Sequence, residues 1–377
     1  MTPFVFGKIA EFENFTNRED ETELLQKLFK ALNNVIVISP RRWGKSSLIK
    51  HATNQLLGID SEYRVIYIDV FNIRTEEEFY QEFASKTLKV GYSKVEDLLV
   101  KSKTLFQKLI PKMSFSPIPE SEISLSFDWE EVKKDPTEIL NLPQKIADAE
   151  NFKLIICIDE FQNLNTFDEN LAFQKKLRAN WQHHSKVGYC LYGSKENMMQ
   201  IIFNDKAQPF YRFGYVLNLE KIKADKWLSF IQRRFNETRK AIGKDDSRLI
   251  TELVHLLPYY VQQLSQISWF YTENICTKEI IEKAFDDLIN QLEPFFIRET
   301  ENLSNQQISF LELLLNGSLP INSNENIKKY GLNSSANIAK AQKALLEKQI
   351  IRKYSNKFEF IDPIYGVWLQ KSYFKSR

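Results

Sequence analysis

The sequence predicts an α/β fold built on a parallel sheet, followed by a helical region and a small C-terminal domain of helices and a hairpin. Three observations carry this. Continuous apolar, β-branched runs such as Val35-Ile36-Val37-Ile38 are the pattern of strands buried on both faces of a parallel sheet. These runs alternate with helical patterns, and strand–helix–strand alternation implies parallel pairing with right-handed crossovers. The chain has 377 residues, beyond the ~250–300 at which a single core stops growing, so two or three domains are expected.

Taken in order, Leu24, Leu25, Leu28, Phe29 and Leu32 mark a helix before the first strand, and another helix runs from Ser46 to about Leu57. A strand follows at 64–70 and a helix at 76–88. Residues 92–140 break the alternation. The stretch 112–129 carries Pro117 and Pro119 and reads as an irregular hairpin inserted in the core. The sheet resumes at Leu154-Ile155-Ile156-Cys157-Ile158, at Gly188-Tyr189-Cys190-Leu191-Tyr192 and at 215–219. From about 222 to 297 the pattern is helical. The last block predicts helices at Asn305–Asn316, 325–329 and 334–348, then strands at 350–354 and 358–361 joined by Ser355-Asn356-Lys357. In the third helix, Ile338, Ala341 and Leu345 make one apolar stripe. Three helices and a hairpin is the winged-helix order. The expected domains are a core at 1–220 with an insert at 92–140, a helical lid at 221–300 and a winged helix at 301–377.

Composition excludes several classes. Hydrophobic residues are 43% and charged residues 27%, average for a globular chain and unlike a disordered, collagenous or coiled-coil sequence. Cys157, Cys190 and Cys276 are far apart, which suits free thiols in a reducing cytoplasm. The four histidines and these cysteines show no metal-ligand spacing. The N-terminal residues lack a signal-peptide pattern, and no apolar run approaches the ~18 residues of a membrane span. A cytoplasmic protein without a membrane partner is expected.

The strongest chemical signal is Ser39-Pro40-Arg41-Arg42-Trp43-Gly44-Lys45-Ser46, set between a buried strand and a helix. That is the context of a P-loop, whose backbone N–H groups and helix N-terminus face phosphate oxygens. Lys45 would bring a positive charge to the β- and γ-phosphates, and Ser46 a hydroxyl to Mg²⁺. Ser39 stands where the consensus has glycine. The run Leu154–Ile158 ends in Asp159-Glu160, the Walker B pattern. Asp159 would hold Mg²⁺, and Glu160 would orient and polarise the attacking water as general base. The acidic pair points to P-loop ATPases with an additional strand between the P-loop strand and the Walker B strand.

Three further features each admit two readings. Ser194, after Gly193 at a strand tip, is a candidate sensor of the γ-phosphate or a plain turn residue. Arg212, in Pro209-Phe210-Tyr211-Arg212, is a candidate finger reaching the γ-phosphate in cis or in a neighbour, or a structural cation–π partner. Pro258, in Leu257-Pro258-Tyr259-Tyr260-Val261-Gln262, lines an adenine pocket or starts a helix with core tyrosines behind it.

With these segments in hand, the chain resembles the archaeal-type ATPase family, in the signal-transduction (STAND) group of AAA+-like ATPases, and is similar to origin-recognition ATPases. The matching segments are Asn17-Arg18-Glu19, Pro40-Arg41-Arg42-Trp43-Gly44-Lys45-Ser46-Ser47-Leu48, Asp159-Glu160-Phe161-Gln162, Leu177-Arg178, Gly193-Ser194, Pro209–Arg212, Pro258–Gln262 and Asp362-Pro363-Ile364-Tyr365. The resemblance implies ATP binding and hydrolysis. It implies Arg18 and Glu19 near the adenine, Pro258 against the base and Ser194 as phosphate sensor. Family members also accept a residue other than glycine at the position of Ser39.

Lys plus Arg total 51 and Asp plus Glu 49, a net charge of +2. The charge is uneven: residues 301–377 hold eleven basic and six acidic residues, a balance of +5, which leaves −3 for residues 1–300. Lys340 and Lys343 fall on the third helix and Lys357 at the wing tip, where phosphates of DNA would be met. Beyond Asn337 and Gln342 that helix offers few base-reading side chains. Three functions follow: a nucleotide-driven switch that engages an unknown protein partner through its winged helix, a DNA-associated ATPase, or a non-catalytic scaffold. Glu160 and Arg212 argue against the scaffold. A homo-oligomer would let Arg212 complete a neighbour's site.

Overall fold

Five parallel strands form the central sheet: β1 (Val35–Ile38), β2 (Tyr63–Asp69), β5 (Lys153–Asp159), β6 (Val187–Gly193) and β7 (Tyr215–Asn218), in the order β2-β5-β6-β1-β7. A computed structural model describes residues 2–92, 105–106, 112–115, 123–126, 128–316, 320–354 and 357–375. β6 lies between β1 and β5, so the additional strand stands where the acidic pair predicts it. The sheet is covered by helices, which is why β1 and β6 are buried at every position and read as unbroken apolar runs.

The chain divides into two units, Arg18–Glu220 and a second made of Met1–Asn17 with Lys221–Arg377. In the first, α1 (Glu19–Lys30) precedes β1, α2 (Lys45–Ile59) follows it and α3 (Glu76–Gly91) follows β2. Thr75 caps α3 by accepting from the Glu78 N–H. Phe79 and Phe83 of α3 join a buried aromatic group with Phe173, Trp181 and Tyr189, where Trp181 stacks on Tyr189 at 4.2 Å.

The predicted hairpin is present as β3 (Lys112–Phe115) paired antiparallel with β4 (Ile123–Ser126). Much of the insert expected at 92–140 lies outside the described residues. Its last part belongs to the core. Val132, Ile139 and Leu140, on helices Trp129–Lys134 and Thr137–Leu140, are buried in the main cluster.

Residues 1–17, expected in the core, belong to the second unit. Side chains there hold them by their backbone. Gln262 accepts from the Val5 N–H at 3.3 Å and donates to the Asn14 carbonyl at 3.0 Å. Gln266 donates to the Phe4 carbonyl at 2.8 Å, and the Phe4 ring packs against Phe230 and Phe235. The region expected to be helical throughout also contains a short parallel pair, Ala241–Ile242 with Ile275–Cys276.

The C-terminal part has the winged-helix elements in the predicted order: Asn305–Asn316, Asn324–Lys329, Ser335–Glu347 and the hairpin Ile351–Tyr354 with Lys357–Phe360. Ser323 and Ser334 cap the second and third helices. Residues 355 and 356 of the predicted wing turn lie outside the described residues. Bonds that tie the winged helix to the preceding helices include Tyr260 Oη to Asp362 Oδ2 at 2.5 Å, Thr300 with Tyr365 at 2.8 Å, Trp368 Nε1 to Glu293 at 3.0 Å and the ion pair of Lys371 with Asp286 at 3.6 Å.

Candidate nucleotide-binding site

Strand register brings the motif residues together. Ile38 pairs with Gly193 and Ile158 with Leu191, so the loop after β1, Asp159 and Ser194 all emerge at the carboxyl edge of the sheet. In open parallel sheets that edge is where ligands bind.

The loop turns through two residues of positive φ, Arg42 (68°) and Gly44 (84°), before α2 begins at Lys45. A Cβ at Gly44 would meet nothing within 4 Å, so the backbone angle, not space, calls for glycine there. Ser39 is buried and is not among the residues of positive φ. The missing first glycine therefore costs no strain. The N-terminus of α2, with its helix dipole, favours an anion. Arg18 braces this loop. It is 3% exposed and donates to the Trp43 carbonyl at 3.1 Å while pairing with Glu21 at 2.9 Å. Burial pulls its pKa down against the opposing pull of Glu21 and Glu220.

Lys45 is buried, at 7% exposure. Ser46 Oγ donates to Asp159 Oδ2 at 3.0 Å, and Asp159 Oδ1 accepts from the Glu160 N–H at 2.8 Å. Burial raises the Asp159 pKa from its ordinary value, with Lys45 opposing that rise. A hydroxyl and a carboxylate oxygen at this distance are hard oxygen donors of the kind Mg²⁺ takes, so the residues fit that ion.

Glu160 leaves the strand in the left-handed region, at φ 51°. Three donors meet its Oε2: Ser194 Oγ at 2.9 Å, the Ser194 N–H at 3.4 Å and Gln162 Nε2. Arg41 Nε in turn donates to Ser194 Oγ at 3.4 Å. Burial pushes the Glu160 pKa up, but the bonds from Gln162 and Ser194 and the charges of Lys45 and Arg41 outweigh it. The net shift is downward, so the carboxylate is held ionised.

The structure thus brings Arg41, Lys45, Ser46, Asp159, Glu160 and Ser194 into one network with buried Pro40 and Trp43, Gly44 and half-buried Ser47 beside them. Glu19 is exposed at the start of α1. Arg212 is exposed, in left-handed geometry (φ 53°), with its guanidinium 5.1 Å from the Tyr211 ring. Among the described residues its partners do not include the P-loop or the acidic pair. Pro258 belongs to the second unit, at the first position of helix Pro258–Tyr271, with Tyr260 buried behind it and Tyr259 against the Phe6 ring. Gln162, to which the sequence alone assigns no role, contacts the carboxylate directly. The usable signal was a polar residue two positions past an acidic strand end, in a segment where Phe161 turns into the core.

A parallel sheet of this order, with a phosphate-type loop and an acidic pair at its carboxyl edge, defines a P-loop ATPase. The family described as an ATPase domain predominantly from Archaea matches residues 15–264, and the chain belongs to it. A probable winged helix domain matches residues 296–371. No curated protein matches the chain significantly. Among solved structures it is similar to a Walker-type ATPase of Pyrococcus abyssi, at 16% identity and a TM-score of 0.69 over 98% of this chain and 99% of that one. The ORC2 protein of Aeropyrum pernix, in ADPNP and ADP complexes, aligns at 16% identity and 0.57 over 98% and 100%. The ORC1 protein of the same organism, in complex with DNA, aligns at 11% and 0.50 over 96% and 94%. These likenesses are of fold. No helix among the described residues is long and apolar enough to cross a membrane.

Proposed function

We propose that the chain is a Mg²⁺-dependent, ATP-driven switch of signal-transduction type, whose nucleotide state repositions the winged helix to engage a partner protein. The observation that carries this reading is the convergence of Ser46, Asp159, Glu160 and Ser194, beside buried Lys45, on one edge of the sheet. Mg²⁺ would be held by Ser46 and Asp159 and would neutralise phosphate charge. The loop residues Pro40 to Ser47 would wrap the phosphates, with Lys45 on the β- and γ-oxygens. Arg18 and Glu19 would lie on the adenine side, and Pro258 would meet the base. Glu160 takes a proton from the attacking water as its oxygen bonds to the γ-phosphorus and the bond to ADP breaks. Ser194 has one hydroxyl proton, now given to Glu160, so a γ-phosphate at that tip competes with Glu160 for it. Exposed Arg212 is available to the site of a neighbouring copy in a homo-oligomer. The bonds that tie the winged helix to the preceding helices support their moving as one body.

A second reading, a DNA-associated ATPase, is favoured by the +5 balance of residues 301–377 and by exposed Lys340, Lys353 and Lys357. The solved ORC1 protein of Aeropyrum pernix is itself a complex with DNA. Against it, Arg352 is 8% exposed and spent on Glu359 at 3.1 Å. Lys348 donates to the Asn302 carbonyl at 2.6 Å. One experiment separates the readings: ATP turnover of the purified chain with and without duplex DNA, with DNA retention followed across salt. The switch reading expects turnover indifferent to DNA and no retention at about 50 mM salt. Retention that falls steeply as salt rises, with turnover stimulated, would replace it by the DNA reading.

A further inference from the structure

Gln162 lies at 0% exposure, an unusual place for a primary amide. Its Nε2 donates to Glu160 Oε2, while its Oε1 has no hydrogen-bond partner among the described residues. Turning the amide over would set its oxygen against the carboxylate, so Glu160 dictates the orientation. The neighbouring strand is shaped around this side chain. A Cβ at Gly193 would fall well inside contact distance of Gln162 Oε1 and 2.7 Å from Met199 Sδ. An orphaned buried carbonyl costs stability, so packing alone does not explain a glutamine here; an apolar side chain would serve packing better.

We propose that Gln162 is a positioning residue for Glu160, fixing the carboxylate through Oε2 and leaving Oε1 to receive the proton of the attacking water. This rests on Glu160 acting as the base. Ser194 gives a weaker hold, because its single hydroxyl proton is contested by an arriving phosphate and its backbone N–H stands 3.4 Å from Oε2. The Gln162 amide is buried beneath the site and keeps its bond as the phosphate enters. A carboxylate fixed by one oxygen has a fixed second oxygen, which is what a water lined up on phosphorus requires.

The test is the split between kcat and ATP affinity in the full chain carrying Gln162→Met, which keeps the length and removes the donor. The expected result is a kcat lowered about 10-fold with KM and ATP affinity unchanged. Should that variant fail to fold, Gly193→Ala displaces the amide from the neighbouring strand and is expected to lower kcat in the same way. A folded variant with unchanged kcat overturns the proposal, as does a loss of kcat matched by an equal loss of ATP affinity, which a merely structural role would give. Glu160→Gln, run alongside, separates the two claims. If it retains turnover, the base reading falls and Gln162 falls with it. If it is inactive while Gln162→Met turns over normally, only the positioning role is lost.

Discussion

Lys45→Ala is expected to weaken ATP binding by at least about 100-fold, measured by titration of the purified chain. Charge-assisted hydrogen bonds to phosphate contribute about 1.5–3 kcal/mol each, and a tenfold change in affinity is about 1.4 kcal/mol. Lys45 is buried beside two carboxylates and lowers the pKa of both Asp159 and Glu160. Without its charge both carboxylates are left facing an anionic ligand, which adds repulsion to the lost contacts. Those carboxylates accommodate the change by taking up protons more readily, so the fold is expected to survive. An unchanged affinity would remove the loop from the ligand site.

Glu160→Gln is expected to bind ATP as tightly as the wild type and to hydrolyse it about 100-fold more slowly or worse. The amide has nearly the same shape, and its carbonyl can still accept from Ser194 at the position now bridged at 2.9 Å. What it cannot do is hold a proton from water. Binding and turnover should therefore separate, which distinguishes this variant from Lys45→Ala, where both fall together. Normal steady-state turnover in Glu160→Gln would remove the general-base role and move the chemistry elsewhere in the site.

The parts of this molecule legible in the sequence are those whose physics is local. β1 and β6 are buried along their whole length, and burial on both faces writes an unbroken apolar run. The P-loop is a contiguous turn, and Asp159-Glu160 is the end of a strand, so composition and order suffice to find them. The stripe of Ile338, Ala341 and Leu345 is buried on its helix as the 3.6-residue period requires. What escaped depends on distant partners. Residues 1–17 join the second unit through Gln262 and Gln266, polar side chains that bond to backbone hundreds of positions away and leave no periodic trace. The pair Ala241–Ile242 with Ile275–Cys276 is too short to show alternation. The contact of Arg18 with the Trp43 carbonyl is likewise set by where α1 meets the loop. Gln162 gains meaning only because β6 runs beside β5 and puts Gly193 against it.

The switch itself is tested most directly by a distance measured between the two units in two nucleotide states. Cys157, Cys190 and Cys276 are all buried, so probes introduced through Lys206→Cys and Lys328→Cys, at exposed positions of the first and second units, would label selectively. Placed in the Glu160→Gln background, the labelled chain can be held with ATP intact and compared with its ADP form. The account predicts two distinct distance distributions, one for ATP and one for ADP. The same distribution in both states, with both nucleotides shown to be bound, would contradict it.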